Sequence, residues 1–510
     1  MTRAGAILSW LEDRSDWLSP IIVKEVRQAV RGKEFNYSFG ASLVAGLAVA
    51  FFGATDALTG SGTSGQWTFL ALMGCLSILG LGVVPLGAFS ALRNERMDQT
   101  LELITLTALS PRRVVIGKLL AQAVKLATLF AAIAPFIAMS FLLGGIDFVT
   151  ISLSLLVLFL FSVWTCALCL FLSTLFKSRA MSGLVFGGVG IALLIVFVAG
   201  RAIFFMARFG GVGFAGSVSM STGSQPWLVL AMTVSFCLAS MLNLVLLAEN
   251  RLTVATENRV TTLRAGFLAQ FLLIVVWMMW FLNEPAAVRF NAVEALGVFG
   301  GLHLAVVAMF TVTEGLSLPR RALMSMRRPG VWRWPLVIFF PGGGRGAAYV
   351  LVQMVVMLVA ASVLGATGFQ MRWLLGICGY ICFFTGVPTF AMRFLWERVK
   401  SQYLRVAVLV LLPVSMLLPD LIHYVFWRPE VLSLRYSARH LLNPLRTLAN
   451  WEIVETGGWF FVPIVLGLTG LFAYAGLIHM GLLTSVHPAA MDPERPARAA
   501  GEAGSANVTY

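Results

Sequence analysis

Charged residues are scarce in this sequence. Asp, Glu, Lys and Arg together make up 12% of its 510 residues, whereas a soluble domain carries about 25%. Hydrophobic residues make up 59% of the chain, and its mean hydropathy is +0.87. This shortage of charge excludes an ordinary soluble protein and predicts an integral membrane protein. The length of the chain then reflects the number of membrane spans more than a number of soluble domains.

The sequence also lacks the motifs that commonly carry chemistry. No cluster of His, Glu or Cys has zinc spacing, and there is no G-x-S-x-G motif. A nucleotide-binding P-loop needs G-x-x-x-x-G-K-[ST], but Gly117-Lys118 is followed by Leu119, and position 112 is Arg. The glycine-rich PGGGRG at 341–346 has no following Lys-Ser/Thr pair, and we interpret it as a turn into a span. We therefore expect no catalytic residue, no metal and no bound cofactor.

Cysteine is also rare, and its positions do not predict a disulfide framework. All six cysteines fall in apolar segments, where a buried thiol behaves as a small apolar residue. The C-x-x-C spacing of one pair is also compatible with redox chemistry or metal binding, but the apolar role is the interpretation we favour. The cysteines are Cys75, Cys166, Cys169, Cys237, Cys378 and Cys382.

Long apolar runs dominate the remaining sequence. A helix needs about 20 mostly apolar residues to cross a bilayer, whereas a barrel strand would alternate over about 10 residues. The pattern therefore predicts an all-α polytopic membrane protein with about twelve transmembrane helices. The predicted spans are 38–54, 67–90, 119–143, 148–176, 180–200, 227–248, 266–282, 291–312, 347–365, 373–392, 406–426 and 459–482.

The basic residues predict the orientation of these spans. If the N-terminus lies in the cytoplasm, the inner segments carry 28 Lys and Arg residues and the outer segments carry 8, as the positive-inside rule requires. Both termini are therefore expected on the cytoplasmic side of the plasma (inner) membrane. Basic clusters beside spans normally contact anionic lipids. The net charge of +14 thus needs no nucleic-acid partner.

The twelve predicted spans fall into two sets of six with a similar layout. In each set, two spans lead to a long basic inner loop, at 91–118 and 313–346, and a longer outer segment precedes the last span, at 201–226 and 427–458. Such a layout is typical of an internal duplication. The predicted organisation is a cytoplasmic N-terminus with an interfacial helix (1–36), a first six-helix transmembrane unit (37–250), a second, degenerate six-helix unit (251–484) and a disordered cytoplasmic tail (485–510).

Residues 19–35, SPIIVKEVRQAVRGKEF, have the pattern of an amphipathic helix. Aliphatic side chains recur on one side, and basic side chains occupy the other. This pattern predicts a helix at the cytoplasmic boundary of the bilayer, with its basic face toward anionic headgroups. A soluble helix packed on the inner loops is the alternative. The predicted interfacial residues are Ile22, Lys24, Val26, Arg27, Val30 and Arg31.

Residues 95–109, ERMDQTLELITLTAL, show a second amphipathic pattern. Acidic side chains cluster at the N-terminal end, where the helix dipole favours negative charge. The following Ser110 and Pro111 are typical of a cap and a first helical turn. The sequence therefore predicts a short surface helix between the second and third spans. Its apolar stripe is Met97, Leu101, Ile104 and Ala108, and its acidic face includes Glu95, Asp98 and Glu102.

This stretch resembles the first cytoplasmic segment of type-2 ATP-binding-cassette (ABC) transporter permeases. That family reads approximately E-R-x-x-G-T-L-E-x-L, then T-P-L-S, then a G-K pair that opens the third span. The preceding IIVKEVRQAVRGKEF also looks like the family's N-terminal interfacial helix. The resemblance covers about the first 250 residues, with Gln99 in place of the usual Gly and Ala108 in place of a frequent Pro. The matching residues are Glu95, Arg96, Thr100, Leu101, Glu102, Thr107, Leu109, Ser110, Gly117 and Lys118.

The resemblance implies a membrane-spanning permease subunit of an ATP-driven ABC exporter. Such permeases work as paired six-span units, so a homodimer, a second permease or the two halves of this chain would complete the path. Separate cytoplasmic ABC ATPase subunits, in two copies, would use the ATP and grip the coupling helix after the second span. Outer helices before each last span would help to close the exit. The implied coupling contacts are Glu95, Arg96, Met97, Asp98, Thr100, Leu101, Glu102 and Ile104.

Two other classes of function remain open from the residues alone. An ATP-independent twelve-span secondary transporter would place ionisable groups deep among its helices. A membrane enzyme or scaffold of envelope assembly would gather polar groups at one face, and the sequence shows no such cluster. The cargo is not specified, because apolar spans suit lipids, drugs, peptides or polysaccharide alike. The ionisable residues in or near spans are Lys125, Glu294, His303, Asp420 and His423, and most lie near span ends, which favours structural roles.

Overall fold

The structure is a computed structural model in which all regular structure among the described residues is helical. The chain divides into two compact units, Met1–Thr253 and Val254–Tyr510. This boundary falls within the predicted junction at 249–266. The described residues are 20–58, 64–97, 111–144, 148–175, 183, 186–190, 226–253, 258, 260–315, 335–395, 403–415 and 438–486.

The first unit begins with a short amphipathic helix that is followed by long apolar helices. Its helices are α1 (Pro20–Arg31), α2 (Lys33–Leu58), α3 (Ser64–Ile78), α4 (Val84–Met97), α5 (Pro111–Leu142), α6 (Phe148–Ser173) and α7 (Pro226–Leu252). One π-helical turn, Leu79–Val83, joins α3 to α4, and in it the Val84 N–H donates to the Leu79 carbonyl. The wider turn comes just before Pro85, which has no N–H to continue the regular ladder.

The second unit has a similar series of long helices, followed by two short ones before its last helix. Its helices are α8 (Thr261–Met279), α9 (Ala286–Thr311), α10 (Gly343–Val363), α11 (Gly368–Leu395), α12 (Tyr403–Ser415), α13 (Pro444–Ala449), α14 (Trp451–Thr456) and α15 (Phe461–Val486). Single 3₁₀ turns occur at Trp280–Asn283, Pro335–Phe339 and Ala438–Leu442.

Within the described part of the chain, ten helices are long and apolar enough to cross a membrane, five in each unit. This finding confirms the prediction of an all-α polytopic membrane protein. The count of twelve stays a prediction. Only 183 and 186–190 of the predicted span 180–200 are described, and the described part of 406–426 belongs to the shorter α12. The ten are Phe35–Leu58, Ser64–Arg96, Pro111–Leu142, Phe148–Ser173, Leu230–Leu252, Thr261–Asn283, Ala286–Thr311, Gly343–Val363, Gly368–Leu395 and Phe461–Gly481.

The core of the first unit lies where α3, α5 and α6 meet. Leu72 and Leu76 of α3 pack against Ile133 and Ile137 of α5, and all four side chains are fully buried. Each pair is spaced by four residues, so both members lie on the same face of their helix. Since lipid tails are as apolar as these side chains, close van der Waals packing is what favours this contact in a bilayer.

In the second unit, α11 and α15 approach each other through glycines. A Cβ atom added to Gly379 would lie 3.1 Å from the Cα of Gly467. One added to Gly470 would lie only 2.4 Å from the backbone nitrogen of Phe383. Small residues let two helix backbones come this close in a membrane. The glycines therefore set the distance between these two spans.

Replacing Gly470 with leucine should push α11 and α15 apart. The new side chain would overlap the backbone of α11 at Phe383, which cannot rotate away as a side chain can. We expect the free energy of unfolding to fall by about 3 kcal/mol, the upper range for overpacked interiors. Thermal unfolding of the purified protein in detergent measures this loss. Gly40→Ala is the control, since its Cβ meets nothing within 4 Å and alanine favours the helix by about 1 kcal/mol. Equal effects of the two substitutions would contradict the prediction.

Candidate functional site

Three helices of the first unit meet at a buried lysine. Lys118, in the third turn of α5, is only 2% exposed. Its Nζ lies 2.6 Å from Oε1 of Glu95, near the end of α4, and 3.2 Å from both carboxylate oxygens of Glu25 in α1. We call Lys118, Glu25 and Glu95 the Lys118 cluster. It connects the N-terminal amphipathic helix with the helices on either side of the segment 98–110.

The local sequence explains how Lys118 becomes buried. Pro111 opens α5 at its first position, where its fixed φ angle and missing N–H cost the helix nothing. Val114, Val115 and Leu119 then give the first turns of α5 an apolar surface, and all three are buried. Helix α1 packs along this part of α5. The lysine thus lies on a helix face that other helices cover.

The Lys118 cluster contains two carboxylates and one ammonium group. The ammonium has three N–H donors and no acceptor, and the carboxylates take up donors that would otherwise be buried without partners. The side chains of Glu25 and Glu95 keep 18% and 29% of their exposure, so the acidic side of the cluster still reaches the surface. Separating a buried pair leaves an uncompensated charge. The arrangement therefore resists movement of any one of its three helices alone.

Arg96 extends the connection to a fourth helix. Its guanidinium donates a hydrogen bond to the carbonyl of Thr174, directly after the end of α6. A cation at this position interacts favourably with the last carbonyls of a helix. Two consecutive residues at the end of α4, Glu95 and Arg96, thus bind it to α5 in one direction and to α6 in the other.

The structure describes only part of the predicted coupling contacts. Glu95 and Arg96 belong to the contacts above, and Met97 is the last residue of α4. The remaining predicted contacts lie outside the described residues, so the coupling helix stays a prediction. These contacts are Asp98, Thr100, Leu101, Glu102 and Ile104.

The predicted interfacial residues fall on the helix α1. Lys24, Arg27 and Arg31 are exposed, whereas Val26 and Val30 are partly buried; Ile22 also lies within the helix. With Val23 and Gln28, the three basic side chains line a shallow surface depression along α1. The helix is thus basic on its open side and apolar toward the first unit. Its position at a lipid boundary stays a prediction.

Sequence reasoning missed two members of the Lys118 cluster as site residues. Lys118 matched the G-K pair of the permease motif but had no predicted role. Glu25 was the single acidic residue on a helix that we interpreted by its basic face. A signal was available in each case: a lysine within an otherwise apolar helix needs a partner, and an acid between basic residues is a candidate for that partner.

The second unit has its own buried ion pair at the start of α8. Arg264 is fully buried, and its Nη2 lies 2.6 Å from Oε2 of Glu314, just after α9. The guanidinium also donates to the carbonyls of Phe340, at 2.8 Å, and of Gly342, at 3.2 Å. Glu314 in turn accepts the N–H of Gly342 at 3.1 Å. We call Arg264, Glu314 and the backbone at 340–342 the Arg264 cluster; it holds together both ends of the predicted inner loop 313–346.

The PGGGRG segment serves close packing at this cluster. Gly342 has a φ angle of +129°, which only glycine adopts without strain. A Cβ on Gly344 would lie 2.3 Å from the carbonyl oxygen of Leu477, and one on Gly346 would lie 2.1 Å from that of Thr311. The glycines therefore allow α10 to start directly against neighbouring backbone.

Two short helices of the second unit pack on the start of α11. They belong to the described part, 438–458, of the predicted outer segment 427–458. The Trp373 indole N–H donates to the carbonyl of Leu448 at 3.1 Å, and Gly376 makes room for the ring of Trp451. Together these contacts attach α13 and α14 to the end of α11 that is predicted to face outward.

Among the described residues, no group of three or more His, Cys, Asp or Glu could hold a metal ion. All six cysteines are free thiols, and Cys166 and Cys169 are completely buried. No family model matches this chain, and neither a curated protein nor a solved structure matches it.

Proposed function

We propose that this chain is the membrane-spanning permease subunit of an ATP-driven ABC exporter in the plasma membrane, coupled to separate cytoplasmic ATPase subunits. The observation that carries the proposal is the Lys118 cluster. Glu95 and Lys118 are both positions of the permease-like motif, and their charged groups are 2.6 Å apart. Glu25, from the helix that resembles the family's interfacial helix, completes the cluster. Two positions of the permease-like motif and one residue of the N-terminal amphipathic helix thus take part in one contact.

The cluster suggests how force could enter the helices. The segment 98–110 is bounded by α4 and α5, and the Lys118 cluster joins these two helices at its base. In our proposal, ATP binding by two partner subunits moves this segment. The buried ion pairs then make α1, α4 and α5 move together, because separating them leaves a buried charge without its counterion. The movement changes access to a path between the helices.

The outer helices of the second unit support an export pathway with a closable end. Helices α13 and α14 lie in the segment before the last span, where the resemblance to type-2 permeases leads us to expect helices that close the exit. The path itself is completed by the two halves of one chain, by a homodimer or by a second permease. The cargo class stays open among lipids, drugs, peptides and polysaccharide.

The test is to co-express the chain with a P-loop ATPase that lacks spans and is encoded by a neighbouring reading frame. We expect the two to co-purify, and we expect ATP hydrolysis to depend on the intact complex. The double substitution Met97→Asp with Glu102→Lys should abolish both, since it reverses the charge and removes the apolar stripe of the coupling helix. A matched control is Leu282→Asp with Glu284→Lys, two exposed residues on the turn predicted to face outward.

Survival of the complex and of coupled hydrolysis in the Met97/Glu102 variant would show that the coupling assignment is wrong. A secondary transporter gives a different result altogether. It forms no complex with an ATPase, and its transport stops when the proton or sodium gradient is dissipated while ATP is still present. A scaffold or enzyme of envelope assembly shows neither behaviour.

A further inference from the structure

The interior of the second unit contains buried polar atoms without hydrogen-bond partners. Gln353 of α10 is 1% exposed, and His303 of α9 is 7% exposed. Oε1 of Gln353 has no partner, and nor has Nε2 of His303. Lipid cannot supply hydrogen bonds to such atoms, so leaving them unpaired would cost free energy. Buried water in proteins typically hydrogen-bonds to polar groups that have no protein partner.

The packing of α9 and α10 places these two side chains at the same depth. The helices run in opposite directions, and they touch where a Cβ on Gly346 would lie 2.1 Å from the carbonyl oxygen of Thr311. Gln353 follows Gly346 by seven residues, and His303 precedes Thr311 by eight. At a rise of 1.5 Å per residue, both lie about 10–12 Å from that contact. This depth is well inside an apolar layer of about 30 Å.

The contacts of His303 show which of its ring nitrogens has no hydrogen-bond partner. Its ring stacks on Phe271 with centroids 5.8 Å apart and meets Phe267 edge-on at 6.1 Å. The ring is also hydrogen-bonded to the backbone of Phe267. A neutral imidazole that donates one N–H has its other nitrogen as an acceptor. Nε2 of His303 is therefore an acceptor that needs a donor.

The Tyr349 hydroxyl adds a third polar group, one helical turn before Gln353. It donates to the carbonyl of Arg264 at 2.6 Å, and its oxygen is hydrogen-bonded to the Gln353 side chain. The Gln353 amide reaches this oxygen with an N–H, so Oε1 of Gln353 is the atom that is left over. Tyr349 is 1% exposed, so this hydrogen bond is closed off from bulk solvent.

We propose that Nε2 of His303 and Oε1 of Gln353 accept hydrogen bonds from water held inside the second unit. Both atoms are acceptors, and water can donate to both. They carry no formal charge, so an ion at this place would lack a counterion. A buried water typically makes about three hydrogen bonds to otherwise unsatisfied polar groups. This inference does not depend on the proposed transport function.

A double-mutant cycle tests the proposal. His303→Leu and Gln353→Met each remove one polar partner while keeping an apolar volume. If water bridges them, each single change leaves the water and the other partner unsatisfied. We then expect both single variants to unfold at a lower temperature, and the double variant to lose less than the sum of the two. If the site is dry, each variant loses only its own direct contacts, so the two effects on the unfolding temperature add, and this result would overturn the proposal.

Gln370→Met is the matched control. Gln370 is also 1% exposed, but it has direct protein partners: its Nε2 donates to the carbonyl of Phe290 at 3.0 Å, and its Oε1 accepts from the N–H of Thr367 at 3.2 Å. It should lower the unfolding temperature, and its effect should add to that of His303→Leu. Equal coupling of His303 with Gln370 and with Gln353 would overturn the proposal, because the coupling would then not come from water at Gln353.

A measurement on the unaltered protein covers the case in which the variants fail to fold. Hydroxyl radicals formed from internal water oxidise side chains that bulk solvent does not reach. Met357 is fully buried and lies one turn after Gln353, where its Sδ would be 2.9 Å from a Cβ on Gly300. We expect X-ray footprinting to oxidise Met357 severalfold faster than Met278, which is similarly buried at 3%. Equal background rates at the two methionines would overturn the proposal.

Discussion

Lys118→Met should lower the free energy of unfolding of the protein by about 3 kcal/mol, the range for removing one partner of a buried ion pair. Methionine can fill the apolar volume of the lysine stem. It cannot donate, so the carboxylates of Glu25 and Glu95 face each other across the vacated position. Thermal unfolding in detergent and the yield of folded protein measure the loss. The effect should be large because Lys118 is 2% exposed.

Two further variants identify the charge as the cause. Lys33→Met removes a lysine that is exposed, and such surface changes usually stay within about 0.5 kcal/mol. The triple variant Lys118→Met, Glu25→Gln, Glu95→Gln removes the unpaired carboxylates and should regain part of the lost stability. If Lys118→Met behaved like Lys33→Met, or if the triple variant regained nothing, the ion pairs would not be what stabilises this junction.

Hydropathy predicted where most spans lie, but it placed the start of two helices too late in the sequence. The apolar run of the third span was predicted at 119–143, whereas α5 starts at Pro111, where the Ser110-Pro111 pattern and not hydropathy predicted the first helical turn. The seventh was predicted at 266–282, yet α8 starts at Thr261. In both cases the missed turns contain a buried cation, Lys118 or Arg264. A scale that treats each charge alone places such turns in a loop, whereas the fold pairs the charge with a carboxylate and keeps the helix.

The partners of these cations could not be predicted for the same reason. Amphipathic spacing shows which face of one helix is polar, but not what faces it. Lys118 is separated from Glu25 by 93 residues, and Arg264 from Glu314 by 50. Glu95 was identified because it belongs to a local pattern beside the predicted coupling helix. The pairs themselves depend on how distant helices pack, which a pattern within one segment does not contain.

The glycines show the same difference between local pattern and packing. The sequence predicted that PGGGRG is a turn, since glycine permits unusual backbone angles. The structure adds that Gly344 and Gly346 are needed for another reason, namely the backbone of Leu477 and Thr311 within 2.3 Å of their added Cβ positions. Which backbone segment comes this close depends on tertiary packing. The sequence alone therefore could not distinguish a glycine that is needed for close packing from one that is needed for a turn.

Arg264→Met should have the largest effect of the substitutions considered, about 5 kcal/mol, at the upper end for breaking a buried ion pair. The arginine is fully buried, and its loss removes the ion-pair partner of the Glu314 carboxylate at 2.6 Å, which then keeps the weaker attraction of Arg393 and Arg405. The carbonyl of Phe340 loses this donor at the same time, and that of Gly342 keeps the N–H of Gly346. We expect little folded protein, and unfolding at a markedly lower temperature in whatever is recovered.

Arg264→Lys and Arg372→Met show whether burial and geometry explain this loss. Lysine keeps the charge but lacks the planar fork that reaches several acceptors at once, so its loss should be intermediate. Arg372 pairs with Glu455, but its side chain is 46% exposed. Exposed pairs contribute at most about 1 kcal/mol, so Arg372→Met should be mild. Equal losses for Arg264→Met and Arg372→Met would mean that the Arg264 cluster does not hold the second unit together.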